Sequence, residues 1–218
     1  NEEDNIGVVL RQLPSHIAGL SIGSIVVVDG GADNTEQVVR EHGANVATHV
    51  INRGGGSALH SGYDLALESG ARYIVTLDAD GQHQPSEIQV VLQPLIEGRA
   101  DLVNGSRVLG DYEKDQFVRA AGVVFFNMLI SMLTMQRITD CSNAFRAITA
   151  EKLAEVRPRL KQRQFHSTEL LIEVIKSGGR VIEVPITIKR RLSGESKKGP
   201  TLKYAFGFTR AILTTWLR

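Results

Sequence analysis

Three short apolar runs, each stopped by a polar, glycine-bearing turn and followed by residues of helical pattern, constrain this chain more than any other feature. Ser24 to Val28 stops at Asp29-Gly30-Gly31-Ala32-Asp33-Asn34-Thr35, ahead of a helix predicted over Glu36 to His42. Asn45 to Ile51 stops at Asn52-Arg53-Gly54-Gly55-Gly56-Ser57, ahead of a helix over Ala58 to Ser69. Arg72 to Leu77 stops at Asp78-Ala79-Asp80-Gly81-Gln82-His83, and Gly81 and Pro85 punctuate the chain before a helix over Ser86 to Glu97. Continuous β-branched runs suit strands buried on both faces, and strand–helix alternation argues for an α/β fold with a doubly wound, mostly parallel central sheet flanked by helices. Ligands of such sheets bind outside the carboxyl ends of the strands. Asp29, the Gly54 to Gly56 loop and Asp78/Asp80 therefore form three polar stations on one sheet edge.

The remaining chain continues the pattern. Asp101 to Gly105 reads as a strand ending at Ser106-Arg107, Ser167 to Ser177 as a helix, and Val181 to Ile188 as a strand whose Pro185 predicts an edge or bulge position. Arg190 to Gly199 is basic and polar, and Thr201 to Arg218 is a final amphipathic helix. With 218 residues and no linker or repeat, one domain is expected, with halves of about 1–105 and about 106–218. The chain opens on a predicted helix, Asn1 to Leu13, where such a fold begins with a strand, so a first strand upstream of Asn1 is expected.

Composition removes several classes. A net charge of +1 gives no argument for nucleic-acid binding, and a single cysteine, Cys141, excludes an internal disulfide framework and a cysteine-rich zinc site. The mostly apolar Ala120 to Met135 reaches only about 24 Å against a hydrocarbon core of roughly 30 Å, which points to a buried or interfacial helix.

Asp-x-Asp followed by Gln82 at a strand end is a compact set of hard oxygen ligands of the kind Mg²⁺ or Mn²⁺ prefers when phosphate completes the coordination. The alternative for these residues is a solvated turn. Asp29 has two readings as well, contact with a nucleotide base or a helix cap. The glycine loop either approaches an anion or simply turns tightly.

The motifs, in their order, resemble those of the inverting nucleotide-sugar glycosyltransferases of the GT-A fold, closest to the branch that glycosylates polyprenyl or dolichyl phosphate. Asn1-Glu2 resembles the end of a Pro-x-x-Asn-Glu signature, and Val28-Asp29-Gly30-Gly31-Ala32-Asp33 resembles Asp-Asp-Gly-Ser-x-Asp, with Val28 in place of the first Asp. Asp78-Ala79-Asp80-Gly81-Gln82-His83 is similar to Asp-Ala-Asp-x-Gln-His, and Gly105-Ser106-Arg107 to Gly-Ser-Arg. Asp140 to Arg146 is similar to Asp-x-x-Ser-Gly-Phe-Arg, with Asn143-Ala144 for Ser-Gly, and Arg191 to Lys197 matches Arg-x-x-Gly-Glu-Ser-Lys. The resemblance implies Asp78, Asp80 and Gln82 as metal ligands. It implies Glu2, Val27, Asp29, Gly54, Asp78 and Ala79 as nucleotide contacts, and Arg107, Arg119, Arg191 and Lys197 as phosphate or acceptor contacts. Asp80, Asp140, Arg107 and Arg191 are the residues expected to carry catalysis.

The implied activity is metal-dependent, inverting transfer of a hexose or aminosugar from a UDP- or GDP-sugar to polyprenyl phosphate. The expected location is cytoplasmic, with peripheral contact at the cytoplasmic face of the membrane or pairing with a second copy. Two alternatives stand beside it: the same donor chemistry with a saccharide or natural-product hydroxyl as acceptor, and a non-catalytic nucleotide-binding module. A phosphate monoester is already anionic and needs no strong base, whereas a hydroxyl does, with Asp140 the leading candidate. With a phosphate acceptor, Asp140 is instead an organiser of arginine side chains.

Overall fold

The computed structural model describes residues 1–112, 117–192 and 201–218. It opens on α1 (Glu3–Gln12) and a minimal hairpin, β1 (His16–Ile17) and β2 (Leu20–Ser21). β3 (Ile25–Asp29), α2 (Thr35–Glu41), β4 (Asn45–His49), α3 (Gly55–Glu68) and β5 (Tyr73–Thr76) then follow the expected alternation. After a 3₁₀ turn at Pro85–Glu87 come α4 (Ile88–Ile96), β6 (Leu102–Tyr112) and α5 (Phe117–Thr134). The chain ends with β7 (Arg146–Thr149), α6 (Ala150–Val156), α7 (His166–Lys176), β8 (Val181–Ile188) and α8 (Thr201–Leu217).

Strand pairing is more mixed than the alternation implies. β3 and β4 pair in parallel as one two-stranded sheet, and a four-stranded sheet has the order β5-β7-β6-β8. In it β6 and β8 run parallel, while β7 lies antiparallel to both neighbours. β7 and the hairpin are absent from the sequence expectations, because four residues and two pairs of residues are too short to show a period. Pro185 does fall on an edge strand, next to a register shift between Ser106 and Asp111 of β6, as its missing N–H requires.

Strand alternation sends side chains to two separate cores. Ile74, Leu102 and Ile148 join Ile130, Leu171, Phe208 and Ile212 on the face covered by α5, α7 and α8. Their immediate neighbours Val103 and Ala147 join Val91, Leu92 and Leu95 of α4 on the other. Burial on both faces fixes the register, since a one-residue slip would exchange the two cores. With the register fixed, the carboxyl ends of β3 and β5 deliver Asp29 and Asp78/Asp80 as their turns begin. β6, expected to end at Ser106-Arg107, instead runs on to Tyr112 and carries Arg107 at its register shift, where the ladder with β8 is interrupted.

Candidate active site

Asp29, the last residue of β3, turns its carboxylate onto the glycine loop. Oδ1 accepts from His49 Nδ1 at 2.6 Å and from the Arg53 N–H at 2.9 Å, and Oδ2 accepts from the Gly54 N–H at 2.7 Å. Burial alone would raise this carboxyl's pKa, but those donors hold it below the ordinary range. At the start of α2 it is Asp33, rather than Asp29, that accepts from the Thr35 N–H. Gly54 itself has φ +92°, a conformation few other residues adopt. Val27 packs toward α3, where a Cβ on Gly62 would lie 3.5 Å from its Cγ2.

The turn after β5 is pinned from within. The Asp78 N–H donates to His83 Nδ1 at 3.1 Å, so that ring nitrogen is an acceptor and Nε2–H donates to Asn143 Oδ1 at 3.0 Å. Asn143 Nδ2 in turn donates to the Gly105 carbonyl at 2.6 Å. His83 is buried against Phe145 and spends both nitrogens on this chain, which makes it a tie between the Asp-x-Asp turn and the β6 edge. The 188–192 segment closes the turn from the other side: Lys189 N–H donates to Gln82 O, Gln82 Nε2 to Lys189 O, and Leu192 N–H to Asp80 O.

Asp78 and Asp80 differ in environment. The Asp78 carboxylate is 54% exposed. Asp80 is largely buried, with Oδ1 accepting from the Gln82 N–H at 3.0 Å and Oδ2 lying 3.6 Å from Arg191 Nη1. Burial first, and then the Asp78 charge, raise the Asp80 pKa. Arg191 also pairs with Glu2, so one guanidinium joins the start of α1 to the Asp-x-Asp turn. Two hard carboxylates, one disfavoured as an anion by burial, fit a divalent cation. Among the described residues no cluster of three or more His, Cys, Asp or Glu side chains converges, so a cation held here would take its remaining oxygens from water or a ligand. Gln82 Oε1 is the third oxygen nearby in sequence, on an amide whose nitrogen is held by Lys189.

Across the sheet edge, Asp140 has no exposed surface and is enclosed by Arg107. Oδ2 accepts from Arg107 Nε at 2.7 Å and from its backbone N–H at 3.1 Å, and Oδ1 accepts from Nη2 at 2.8 Å. Burial works against the Arg107 charge, but the paired carboxylate more than offsets it and the arginine pKa rises. The fork leaves Nη1 of Arg107 as the nitrogen not turned toward Asp140 or Ser142.

Glu183, the one acidic residue in β8, holds this pair and was not among the expected site residues. Its two oxygens accept from Asn104 Nδ2, from the Thr139 N–H and hydroxyl, and from the Asp140 N–H, all within 3.1 Å. Fully buried Arg146 donates to the carbonyls of Cys141, Asn143 and Ser167 and fixes the following turn. A lone acidic residue within a mostly apolar strand run is the only sequence signal for Glu183. The Arg119 side chain and Lys197 lie outside the described residues.

These strand-end features sit on a fold shared with nucleotide-sugar transferases of the GT-A type. A crystal structure of glucosyl-3-phosphoglycerate synthase from Mycobacterium tuberculosis, in complex with Mn²⁺, UDP and glucosyl-3-phosphoglycerate, superposes with a TM-score of 0.73 at 19% identity, covering 100% of this chain and 75% of that one. The chain belongs to glycosyl transferase family 2, whose model matches residues 1–157, and it is a glycosyltransferase. A dolichyl-phosphate hexose transferase of Haloferax volcanii is 30% identical over 92% of this chain and 83% of its own length. A UDP-N-acetylglucosamine–dolichyl-phosphate N-acetylglucosaminyltransferase of Methanococcus voltae is 28% identical over 85% of this chain and 81% of its own.

Proposed function

We propose that this glycosyltransferase moves a hexose or aminosugar from a UDP- or GDP-sugar to a polyprenyl phosphate, with inversion at the anomeric carbon. The observation that carries the acceptor choice is the Asp140–Arg107 fork. A carboxylate with no exposure and both oxygens engaged is poorly placed to take a proton from a hydroxyl, whereas an arginine oriented by it suits a phosphate. The names of the Haloferax and Methanococcus relatives support the same acceptor class.

An oxygen of the acceptor phosphate, already anionic, attacks the anomeric carbon. The bond from that carbon to the donor's diphosphate breaks, and its electron pair leaves with the nucleoside diphosphate, so no protein base is needed. Asp78 and Asp80 would hold a divalent cation, Mg²⁺ or Mn²⁺, which supplies charge neutralisation to the leaving diphosphate. Arg107 would orient the acceptor phosphate. Transfer assays with polyprenyl phosphate, the free polyprenol and soluble saccharides test this reading. Product is expected only with the phosphate and only with metal present, and turnover of a saccharide hydroxyl instead would assign the other acceptor class.

The site's lipid acceptor also gives an occupant for an exposed apolar face. No described helix is long and apolar enough to cross a membrane. α5 nevertheless exposes Val124, Phe125, Met128 and Met132 along one side, and α8, packed on it through Phe126 and Phe208, exposes Phe206, Leu213 and Leu217. This face would rest on the bilayer that holds the acceptor. The protein is expected to float with anionic phospholipid vesicles, and the Met128→Glu/Met132→Glu variant to remain in solution. A wild-type protein that stays off vesicles but dimerises through this face would refute the assignment in favour of a second copy.

A further inference from the structure

The glycine loop that Asp29 grips has a second wall, supplied by residues more than a hundred positions later. The Gly56 N–H donates to the Arg163 carbonyl at 2.7 Å. A Cβ on Gly56 would lie 2.1 Å from the Gln162 carbonyl oxygen, so only glycine fits against this backbone. A Cβ on Gly54 would come within 3.3 Å of the Arg163 carbonyl oxygen. The 161–163 segment is held in place by Glu169 of α7, which is buried. Its carboxylate accepts from the backbone N–H groups of Lys161 (2.9 Å) and Gln162 (2.7 Å) and from Arg218 Nη2 (2.6 Å). Burying a carboxylate is costly unless it is paired and hydrogen-bonded, and Glu169 meets that requirement by tying the 161–163 backbone to Arg218.

The arginines around this wall divide into two kinds. Arg157 pairs with Asp64, Arg159 with Glu173, and Arg218 with Glu169. Arg163 is exposed and has no carboxylate partner among the described residues, and the same is true of Arg53 on the facing glycine loop. His166, at the start of α7, stands against the same loop: its Cε1 lies 3.5 Å from a Cβ on Gly55.

We propose that the 161–163 segment is a wall of the donor site, that Arg163 together with Arg53 binds the diphosphate of the nucleotide sugar, and that Glu169 is the positioning residue for that wall. The proposal rests on the nucleotide-sugar donor reading given above. An arginine in this wall is a charge-assisted donor for phosphate, and Arg163 and Arg53, unlike Arg157, Arg159 and Arg218, spend no side-chain N–H on a carboxylate among the described residues.

Calorimetric titration of the full chain with UDP, GDP, uridine and guanosine, each with Mn²⁺, tests it. Arg163→Gln is expected to weaken nucleoside diphosphate binding roughly tenfold, the loss of about one charge-assisted hydrogen bond. It should leave the nucleoside alone unchanged and flatten the salt dependence. Glu169→Gln is expected to raise the donor KM while leaving the acceptor KM in place, a split that a general loss of folded protein does not produce. Equal diphosphate affinity in Arg163→Gln and wild type overturns the proposal. So does an equal loss for nucleoside and diphosphate, because the side chain would then act on loop shape. If wild type binds neither UDP nor GDP, the donor reading itself falls, and this inference with it.

Discussion

Arg107→Ala is expected to lower kcat/KM for polyprenyl phosphate by roughly 30-fold or more, the rate equivalent of about 2 kcal/mol lost from a desolvated charged contact. The variant also strips Asp140 of its fork. An uncompensated buried carboxylate costs roughly 3–5 kcal/mol of stability, so its thermal midpoint should fall and activity must be expressed per folded molecule. Arg107→Lys separates the two effects. It keeps a cation beside Asp140 but loses the planar pair of N–H groups, so it should be more stable than Arg107→Ala while recovering only part of the acceptor affinity. Asp140→Asn then decides between organiser and base. As the organiser of Arg107, its loss raises the acceptor KM and leaves the pH dependence of the remaining turnover in shape. As a general base, its loss would lower kcat by about 10²–10⁴ and remove the acidic limb of the profile. The second result would overturn the phosphate-acceptor argument, which depends on both Asp140 oxygens being engaged by Arg107 and its backbone.

How much of this was legible in the sequence depended on the range of the interactions. Apolar strand runs such as Ile25–Asp29 and Tyr73–Thr76 announce themselves locally, and so does the polar turn that ends each one. The alternation predicts one edge for them, although β3 lies in a two-stranded sheet apart from the four-stranded sheet of β5, and the neighbouring positions of Asp78, Asp80 and Gln82 follow from the turn. The bidentate pairing of Asp140 with Arg107 spans 33 residues, and no local pattern encodes it. The resemblance placed both residues in the site, but the choice between base and organiser needed the observed geometry. Glu183 and Glu169 act through backbone N–H groups contributed by other segments, and backbone donors leave no trace in residue identity. β7 was hidden for a different reason: Arg146–Thr149 is only four residues long, and its buried arginine breaks the apolar run.

Asp80→Asn is expected to remove transfer activity almost completely, on the order of 10³-fold, because a divalent cation at a leaving diphosphate supplies several kcal/mol of charge stabilisation. Its effect on stability should run the other way. Burial, reinforced by Asp78, raises the Asp80 pKa, so the folded protein disfavours the charged carboxylate and bears that penalty above the pKa of the unfolded chain. The amide carries no such charge, although it gives up the Arg191 contact at 3.6 Å. In the absence of metal and nucleotide, Asp80→Asn should therefore melt no lower than wild type. Adding Mn²⁺ with UDP or GDP should separate them sharply: ligand at about 100 times its Kd stabilises a folded protein by about 2.7 kcal/mol, and the variant should lose most of that gain. A midpoint that drops without ligand, together with a ligand-induced rise equal to wild type, would make Asp80 a structural turn residue and leave the Asp-x-Asp stretch without a metal. Full transfer activity in the variant would do the same. The two measurements together distinguish a carboxylate kept for the fold from one kept, at a cost to the fold, for a cation.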